Sequence, residues 1–451
     1  MSNFKADNYC TKDADCYDFM GDVLGIGQNL LELGRSIDRK CVDEYEKIAR
    51  IKGYNQIKVL NAFRDKRVAP MHFAPSYGYG YSDPGREKLE ELFACLFGTE
   101  KALVRPQIAS GTHALGLALF GLLRRGDSLV SVSGTPYDTL CDIIGAQGYT
   151  EGSLTDIGVE YSQVELKDGM PDIEGVRIAA QKHPTLMMLQ RSRGYADRPS
   201  ISIEKMREVF NVIKEESPDT LIMVDNCYGE FVDVLEPTQV GADIAVGSLI
   251  KNIGGGIAPT GGYIAGSAEN IDKIACRLTT PGIGGEVGSY AAGYLPFFQG
   301  LYLAPGAVAQ ALTGAVFAAA ALKECGYKVS PERNEKRSCI IQTVHFGCAD
   351  DELRADIIQA VLLRTKEALI AFCQGMQKGA PVDSFVVPEP WDMPGYKDQV
   401  IMAAGTFVQG ASIELSADAP IRSPYIAFMQ GGLACEQVKA AVLNYLQQTG
   451  H

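Results

Sequence analysis

The sequence is poor in the features that mark metal, nucleotide, nucleic-acid and membrane proteins. It has five histidines, and none stands in HExxH or a comparable metal spacing. Twelve cysteines form no CxxC pair, so they read as reduced thiols in a reducing compartment rather than as a disulfide framework or a zinc site. No GxxxxGK[ST] occurs, which excludes a P-loop. No basic run stands out and the net charge is −13, which argues against nucleic acid and anionic membrane surfaces. No stretch of about 18 apolar residues is free of charges and chain breakers. The longest, Gly314 to Leu322, is too short to span a bilayer. The opening residues are polar and acidic rather than signal-like. These absences lead to the expectation of a cytoplasmic protein with no metal, no nucleic-acid partner and no membrane.

What is present divides the chain, whose 451 residues are too many for one simple core. Residues 1–65 read as a polar helical arm. Ile37, Val42, Tyr45, Ile48 and Ala49 recur at helical spacing, but the arm has few apolar residues of its own and is expected to pack on a partner subunit. Residues 66–300 alternate strand, loop and helix. Strands are expected at 128–133, 185–190, 220–226, 242–248 and 261–267. The helix in "THALGLALFGLLRRGD" is expected to stop with Arg124 and Arg125 in its last turn, before Gly126. "SIEKMREVFNVIKEE" is an amphipathic helix with Ser202 as its N-cap. Residues 301–451 hold a helix rich in small residues (305–326), a second helix over 350–376 and a closing helix from Cys435. Continuous apolar strands alternating with helices predict an α/β fold: a large domain with a mostly parallel sheet covered on both faces, and a smaller C-terminal α/β domain.

In an open α/β sheet, ligands collect at the carboxyl ends of the strands. Four strand ends carry chemistry. Ser110, Gly111 and Thr112 open a helix whose N–H groups suit a phosphate, although taken alone they read first as an ordinary helix cap. Tyr137 can stack on a planar ring, or simply line a loop. Asp225 ends an apolar strand, where an acid needs a partner. Lys251 follows the strand ending at Ser248 and precedes a glycine-rich loop, "GGGIAPTGG". Together the four fit one ligand, pyridoxal 5′-phosphate. The lysine can form a Schiff base, and the carboxylate can keep the ring nitrogen protonated.

The segments "YGYGYSDPGREKLE", "ASGTHAL", "GTPYDTL", "VDNCYGEF", "GSLIKNIGGGIAPTGGYIAG" and "YIAFMQGGL" carry a resemblance over about residues 77–433. The chain resembles the fold type I pyridoxal-phosphate enzymes of cysteine and methionine metabolism. Within them it is most similar to the methionine gamma-lyase-like, aluminium-resistance group. The resemblance implies the transferase-like fold of those enzymes and a seven-stranded large-domain sheet. It implies Lys251 as the cofactor lysine, Ser110, Gly111, Thr112 and Ser248 at the phosphate, Tyr137 on the ring and Asp225 at its nitrogen. It implies a homodimer, or dimer of dimers, in which a neighbouring arm completes the site. Tyr77, Tyr79, Tyr81 and Arg86 are the arm candidates, with Tyr79 as the acid. It further implies an arginine for the substrate carboxylate: Arg422, with Arg193 and Arg191 as alternatives. The implied activity is elimination of a thiol from a sulfur amino acid to give a 2-oxo acid and ammonia. Replacement, aminotransfer or aldol chemistry on the same cofactor, or non-catalytic binding, are the other readings.

Overall fold

The computed structural model describes residues 15–196, 198–335, 337, 341–345, 359–362, 365–423 and 425–451. Its centre is a seven-stranded sheet. In spatial order the strands are Lys101–Arg105, Gly262–Gly266, Ile244–Ser248, Leu221–Asp225, Leu186–Gln190, Ser128–Ser131 and Glu160–Gln163. The last five pair in parallel. Gly262–Gly266 runs antiparallel to both of its neighbours. Every residue of Leu186–Gln190, Ile244–Ser248 and Gly262–Gly266 is buried, which is why those segments read as unbroken apolar runs.

Helices cover both faces. On one, Leu115 and Leu119 of Gly111–Leu122 meet Ile271 and Ile274 of Ala268–Leu278 over Leu129, Ile244 and Ile264 of the sheet. On the other, Val176, Met206 and Phe210 of Ile173–Ala180 and Ile203–Glu216 lie over Met187, Leu189 and Ile222. Ser202 caps the second of these helices by accepting the Lys205 N–H. The parallel strands end together, so Gln190, Asp225 and Ser248 stand along one edge. A second, antiparallel sheet is built from Lys328–Ser330, Ile341–His345, Ile426–Gln430, Ser416–Pro420 and Val400–Ala403, with Gln359–Leu362 also paired to Ile426–Gln430.

Four expectations change. The first sheet-covering helix ends at Leu122, not in the arginines; Arg124 lies beyond it and donates back to the carbonyls of Phe120 and Leu123. The small-residue helix starts at Leu295, with Pro296 in its first turn, and carries Pro305 inside it. This helix, Leu295–Glu324, is long and apolar enough to cross a bilayer, but 72% of its most apolar window is buried inside the protein. An all-round apolar helix of this kind belongs to a core. The helix expected over 350–376 starts only at Lys366, capped by Thr365, and 359–362 is strand; residues 350–358 of that expectation lie outside the described residues. A short apolar run such as "IIQAVLL" fits either period, so periodicity alone could not divide it.

The N-terminal arm finally packs on its own chain. Its helices Cys16–Leu24, Gln28–Lys40 and Val42–Asp65 share one apolar cluster with Leu295–Glu324 and Cys435–Gln448. Asp38 accepts from Tyr17 Oη at 2.6 Å and from Lys439 Nζ at 2.7 Å, which ties the arm to the closing helix.

The long helix passes directly under the loop that follows Lys251. A Cβ built on Gly300 would stand 2.3 Å from the Gly254 carbonyl oxygen, and one on Gly255 would stand 2.4 Å from that of Gly300. Backbone meets backbone here, so no side chain can yield. Gly300→Ala is expected to cost about 1–3 kcal/mol by overpacking. Denaturant unfolding checks this; an unchanged midpoint would show that the helix and loop can separate freely.

Candidate active site

Lys251 sits three residues past the buried strand end at Ser248, at the start of a tight turn over Asn252–Gly254. Its amine lies 3.8 Å from the centre of the Tyr228 ring. Burial works against its charge, but Cys227, Tyr228 and Asp225 beside it outweigh burial and hold the amine protonated. Lys251 opens into a cavity of about 240 Å³ that Asp225, Ser248, Tyr137 and residues 110–112 also line. The structure thus brings together every residue that the sequence placed at the cofactor from this chain's strand ends.

The details suit a phosphorylated ring. Ser110 caps Gly111–Leu122 by accepting the His113 N–H at 3.0 Å, and Thr112 Oγ1 is 3.1 Å from Thr139 Oγ1. A Cβ on Gly111 would meet both Cys227 Sγ and Ser248 Cβ at 3.3 Å. The helix start and Ser248 therefore form a cradle that a larger residue would fill, with N–H groups aimed outward for an anion. Asp225 accepts the Cys227 N–H at 3.1 Å; burial raises its pKa, and the Lys251 charge is the main force opposing that rise. Tyr137 is fixed by its own N–H, which donates to Gln190 Oε1 at 2.9 Å, and its hydroxyl hydrogen-bonds that of Tyr396. Among the described residues no cluster of three metal-binding side chains occurs.

Several lining residues escaped the sequence reading. Tyr228 has a positive φ of 70°, which turns its ring beneath Lys251, and its hydroxyl lies 3.2 Å from Ser412 Oγ. Tyr195, Tyr396 and Phe428 form an aromatic wall with Tyr137, their ring centres 5.1–6.1 Å apart. Asp418 and Gln430 enter from the second sheet. The "VDNCYGEF" segment held a signal for Tyr228, a bulky residue in a tight turn after a strand. Nothing local in the sequence pointed to Tyr396, Asp418 or Gln430, which the fold carries in from far along the chain.

The arginines fall elsewhere. Arg422, expected at the substrate carboxylate, is 3.1 Å from Asp398 and exposed. It lines a neighbouring hollow of about 440 Å³ together with Arg193 and Arg198. Tyr137, Tyr195, Tyr396 and Gln190 are the wall shared by hollow and cavity. Arg193 is buried and donates to the Arg198 carbonyl. Arg191 lies beneath the site, its Nη1 donating to Asn226 Oδ1 and the Gly229 carbonyl, both at 2.8 Å, so it braces the loop after Asp225. Arg86 does not line the cavity either. It is 2% exposed and donates to the carbonyls of Gly80, Glu286 and Gly288. Within this chain its charge is thereby committed to holding the tyrosine loop. Tyr77, Tyr79 and Tyr81 project from that loop and are 72%, 74% and 64% exposed.

The sequence profile of methionine gamma-lyase matches residues 30–353 and 348–450. An uncharacterized Bacillus subtilis protein, YnbB, is 46% identical over 427 residues, covering 94% of this chain and 97% of that protein. The crystal structure of a carbon-sulfur lyase involved in aluminium resistance from Clostridium novyi is 45% identical, with a TM-score of 0.88 over 97% of this chain and 99% of that one. L-methionine gamma-lyase of Fusobacterium nucleatum is 26% identical over 203 residues, 44% of this chain and 46% of that protein.

One buried acid behind the cavity carries a pH test. Glu230 accepts from Tyr263 Oη at 2.8 Å, while its other oxygen has no partner. Burial, with Glu236 nearby, pushes its pKa up to about 8. A carboxyl whose folded pKa is raised favours folding at low pH, and that contribution fades as pH climbs from its unfolded value through about 8. Glu230→Gln lacks the charge. Its melting temperature is therefore expected to rise relative to wild type between pH 5 and pH 9. A constant offset across that range would mean that Glu230 does not titrate there.

Proposed function

The chain belongs to the methionine gamma-lyase family, and we propose that within it the protein is a pyridoxal-phosphate-dependent carbon–sulfur lyase that eliminates a thiol from a sulfur amino acid. The observation that carries this reading is the meeting, in one cavity, of a buried lysine amine, a buried carboxylate and an open helix start. When bound, pyridoxal phosphate supplies a carbonyl for covalent attachment of an amine and a ring that accepts the electron pair left at Cα.

The residues divide the work. The N–H groups of 111–112 and the hydroxyls of Ser110, Thr112 and Ser248 would hold the phosphate. Asp225 would hold the ring nitrogen, its carboxylate favoured by the neighbouring cation. Tyr137 would stack on the ring. The Lys251 amine would hold the cofactor and, once freed by an incoming amine, would take the proton from Cα. Arg422 and Arg193, in the outer hollow, meet the carboxylate of an arriving amino acid before it passes the tyrosine wall. The carbon–sulfur bond breaks as the thiol takes a proton, and water releases 2-oxo acid and ammonia. We place the protein in the cytoplasm.

Borohydride reduction of the cofactor-loaded protein, followed by peptide mapping, is expected to fix the cofactor on Lys251. Incubation with thioether amino acids is expected to release thiol and 2-oxo acid in equal amounts. A label on another lysine removes the assignment. Amine-form cofactor accumulating without thiol makes the protein an aminotransferase.

We further assign the thiol's proton to Tyr79 of a second copy of the chain. The tyrosine loop is rigid: Gly288 N–H donates to the Tyr79 carbonyl at 2.9 Å, and Ser289 Oγ donates to that of Gly78 at 2.8 Å. A rigid loop presenting three exposed rings suits a partner. Exposed Ile57, Leu60, Met71, Tyr302 and Leu303 add apolar surface for a closed dimer. Tyr79→Phe and Lys251→Ala are each expected to be inactive alone. Co-expressed, they should recover roughly a quarter of wild-type activity, because half of the dimers are hybrids and each hybrid keeps one intact site. Inactive co-expressed mixtures would place Tyr79 and Lys251 in the same chain's site.

A further inference from the structure

Asp418 is a buried acid in the cavity that the lyase reading leaves without a task. It is the third residue of Ser416–Pro420, paired across the sheet with Met402 on one side and Phe428 on the other. All three line the cavity, so a carboxyl stands in a row of otherwise apolar side chains. It is 6% exposed. Gln430 Nε2 donates to its Oδ2 at 2.8 Å, but Oδ1 is buried with no hydrogen-bond partner. A buried carboxylate oxygen calls for a donor.

Among the described residues no side chain of the cavity donates to Oδ1. Among the described residues its only basic side chain is Lys251, and no arginine lines it. Lys251 is committed to the cofactor in the reading above, and Asp225 to the ring. The wall beside Asp418 is aromatic. Phe428, its cross-strand partner, is 5.1 Å from Tyr195, and Tyr195 is 5.9 Å from Tyr396. Ring faces attract cations, and a carboxylate among them sharpens that preference. Burial lifts the Asp418 pKa to about 7, with Gln430 and the Lys251 charge opposing; an approaching cation favours the ionised form.

We infer that Asp418, within the aromatic wall, binds an ammonium group carried on the side chain of the amino-acid substrate. The substrate class is then a diamino acid, in particular a thioether with an amine beyond its sulfur. This rests on the lyase reading and names its substrate class. Asp418 is a recognition residue, and its loss changes which amino acid binds rather than the chemistry at Cα.

The test uses two isosteric pairs on the cofactor-loaded full chain. L-ornithine and L-norleucine differ by ammonium for methyl, as do S-(2-aminoethyl)-L-cysteine and S-propyl-L-cysteine. Calorimetric dissociation constants are measured for the first pair, and kcat and KM for the second. Wild type is expected to prefer the ammonium member about tenfold or more, the worth of one charge-assisted contact. Asp418→Asn keeps an acceptor for Gln430 and is expected to bring both ratios to about one, leaving kcat for S-propyl-L-cysteine and the cofactor content unchanged. Asp418→Ser, with a smaller polar side chain, is expected to give the same result should the first variant not fold.

Equal binding of the pair by wild type, or a preference that survives both variants, overturns the assignment of Asp418 alone. Variants that lose turnover of both thioethers while keeping the binding preference also overturn it, because Asp418 would then act in proton transfer. A wild-type protein that binds none of these amino acids overturns the lyase reading and the assignment with it.

Discussion

The site depends on keeping one ammonium, that of Lys251, out of water without losing its charge. Moving an unpaired cation into a protein interior costs several kcal/mol. The sheet offsets that cost through the order of its strands. Asp225 ends one strand and Ser248 ends its parallel neighbour, so the acid and the turn bearing the lysine emerge at the same edge. The Tyr228 ring beneath the amine adds an attractive face at 3.8 Å. Each carboxyl in turn is held by what surrounds it: Asp225 by the Cys227 N–H, Asp418 by Gln430, Glu230 by Tyr263. Three acids around one cation would be an excess of negative charge if all were ionised. Burial resolves this by pushing the pKa of each upward.

Close backbone approach is the second constraint, and it falls on glycines. Gly111 lets a helix start come within contact of Ser248 and Cys227. Gly255 and Gly300 let the loop after Lys251 rest on the apolar helix Leu295–Glu324. That helix also holds the N-terminal arm and the closing helix through a single apolar cluster. The lysine is thus seated on the same core that ties the two ends of the described chain together, so its position is set by the packing of the whole molecule and not by its loop.

How much of this was legible follows from the range of each signal. The buried strands announced themselves as apolar runs, and the rule that ligands gather at strand ends then picked out Asp225, Ser248, Lys251 and the 110–112 helix start. Those signals are local. The second half of the cavity is not. Tyr396 and Asp418 come from segments more than 140 residues beyond Lys251 in number, and only the antiparallel sheet, with its register of Asp418 to Met402 and Phe428, brings them to the site. Arginines were the least legible. A guanidinium can brace carbonyls, pair with an acid or await an anion, and the sequence distinguishes none of these. Arg86 and Arg191 brace carbonyls, and Arg422 pairs with Asp398.

The tyrosine wall joins the two halves of the molecule at the site. Outside the wall stand Arg193, Arg198, Arg422 and Lys397 together with Asp138 and Asp142; inside it stand Asp225 and Asp418 with Lys251. The hydroxyls of Tyr137 and Tyr396 hydrogen-bond to each other across the shared wall, so part of the barrier is a single contact between two side chains. Tyr137 is anchored to the large sheet through Gln190, while Tyr396 rides on the loop before Val400–Ala403 of the second sheet. Any relative movement of those two elements therefore makes or breaks this contact, which lies in the wall that the hollow and the cavity share.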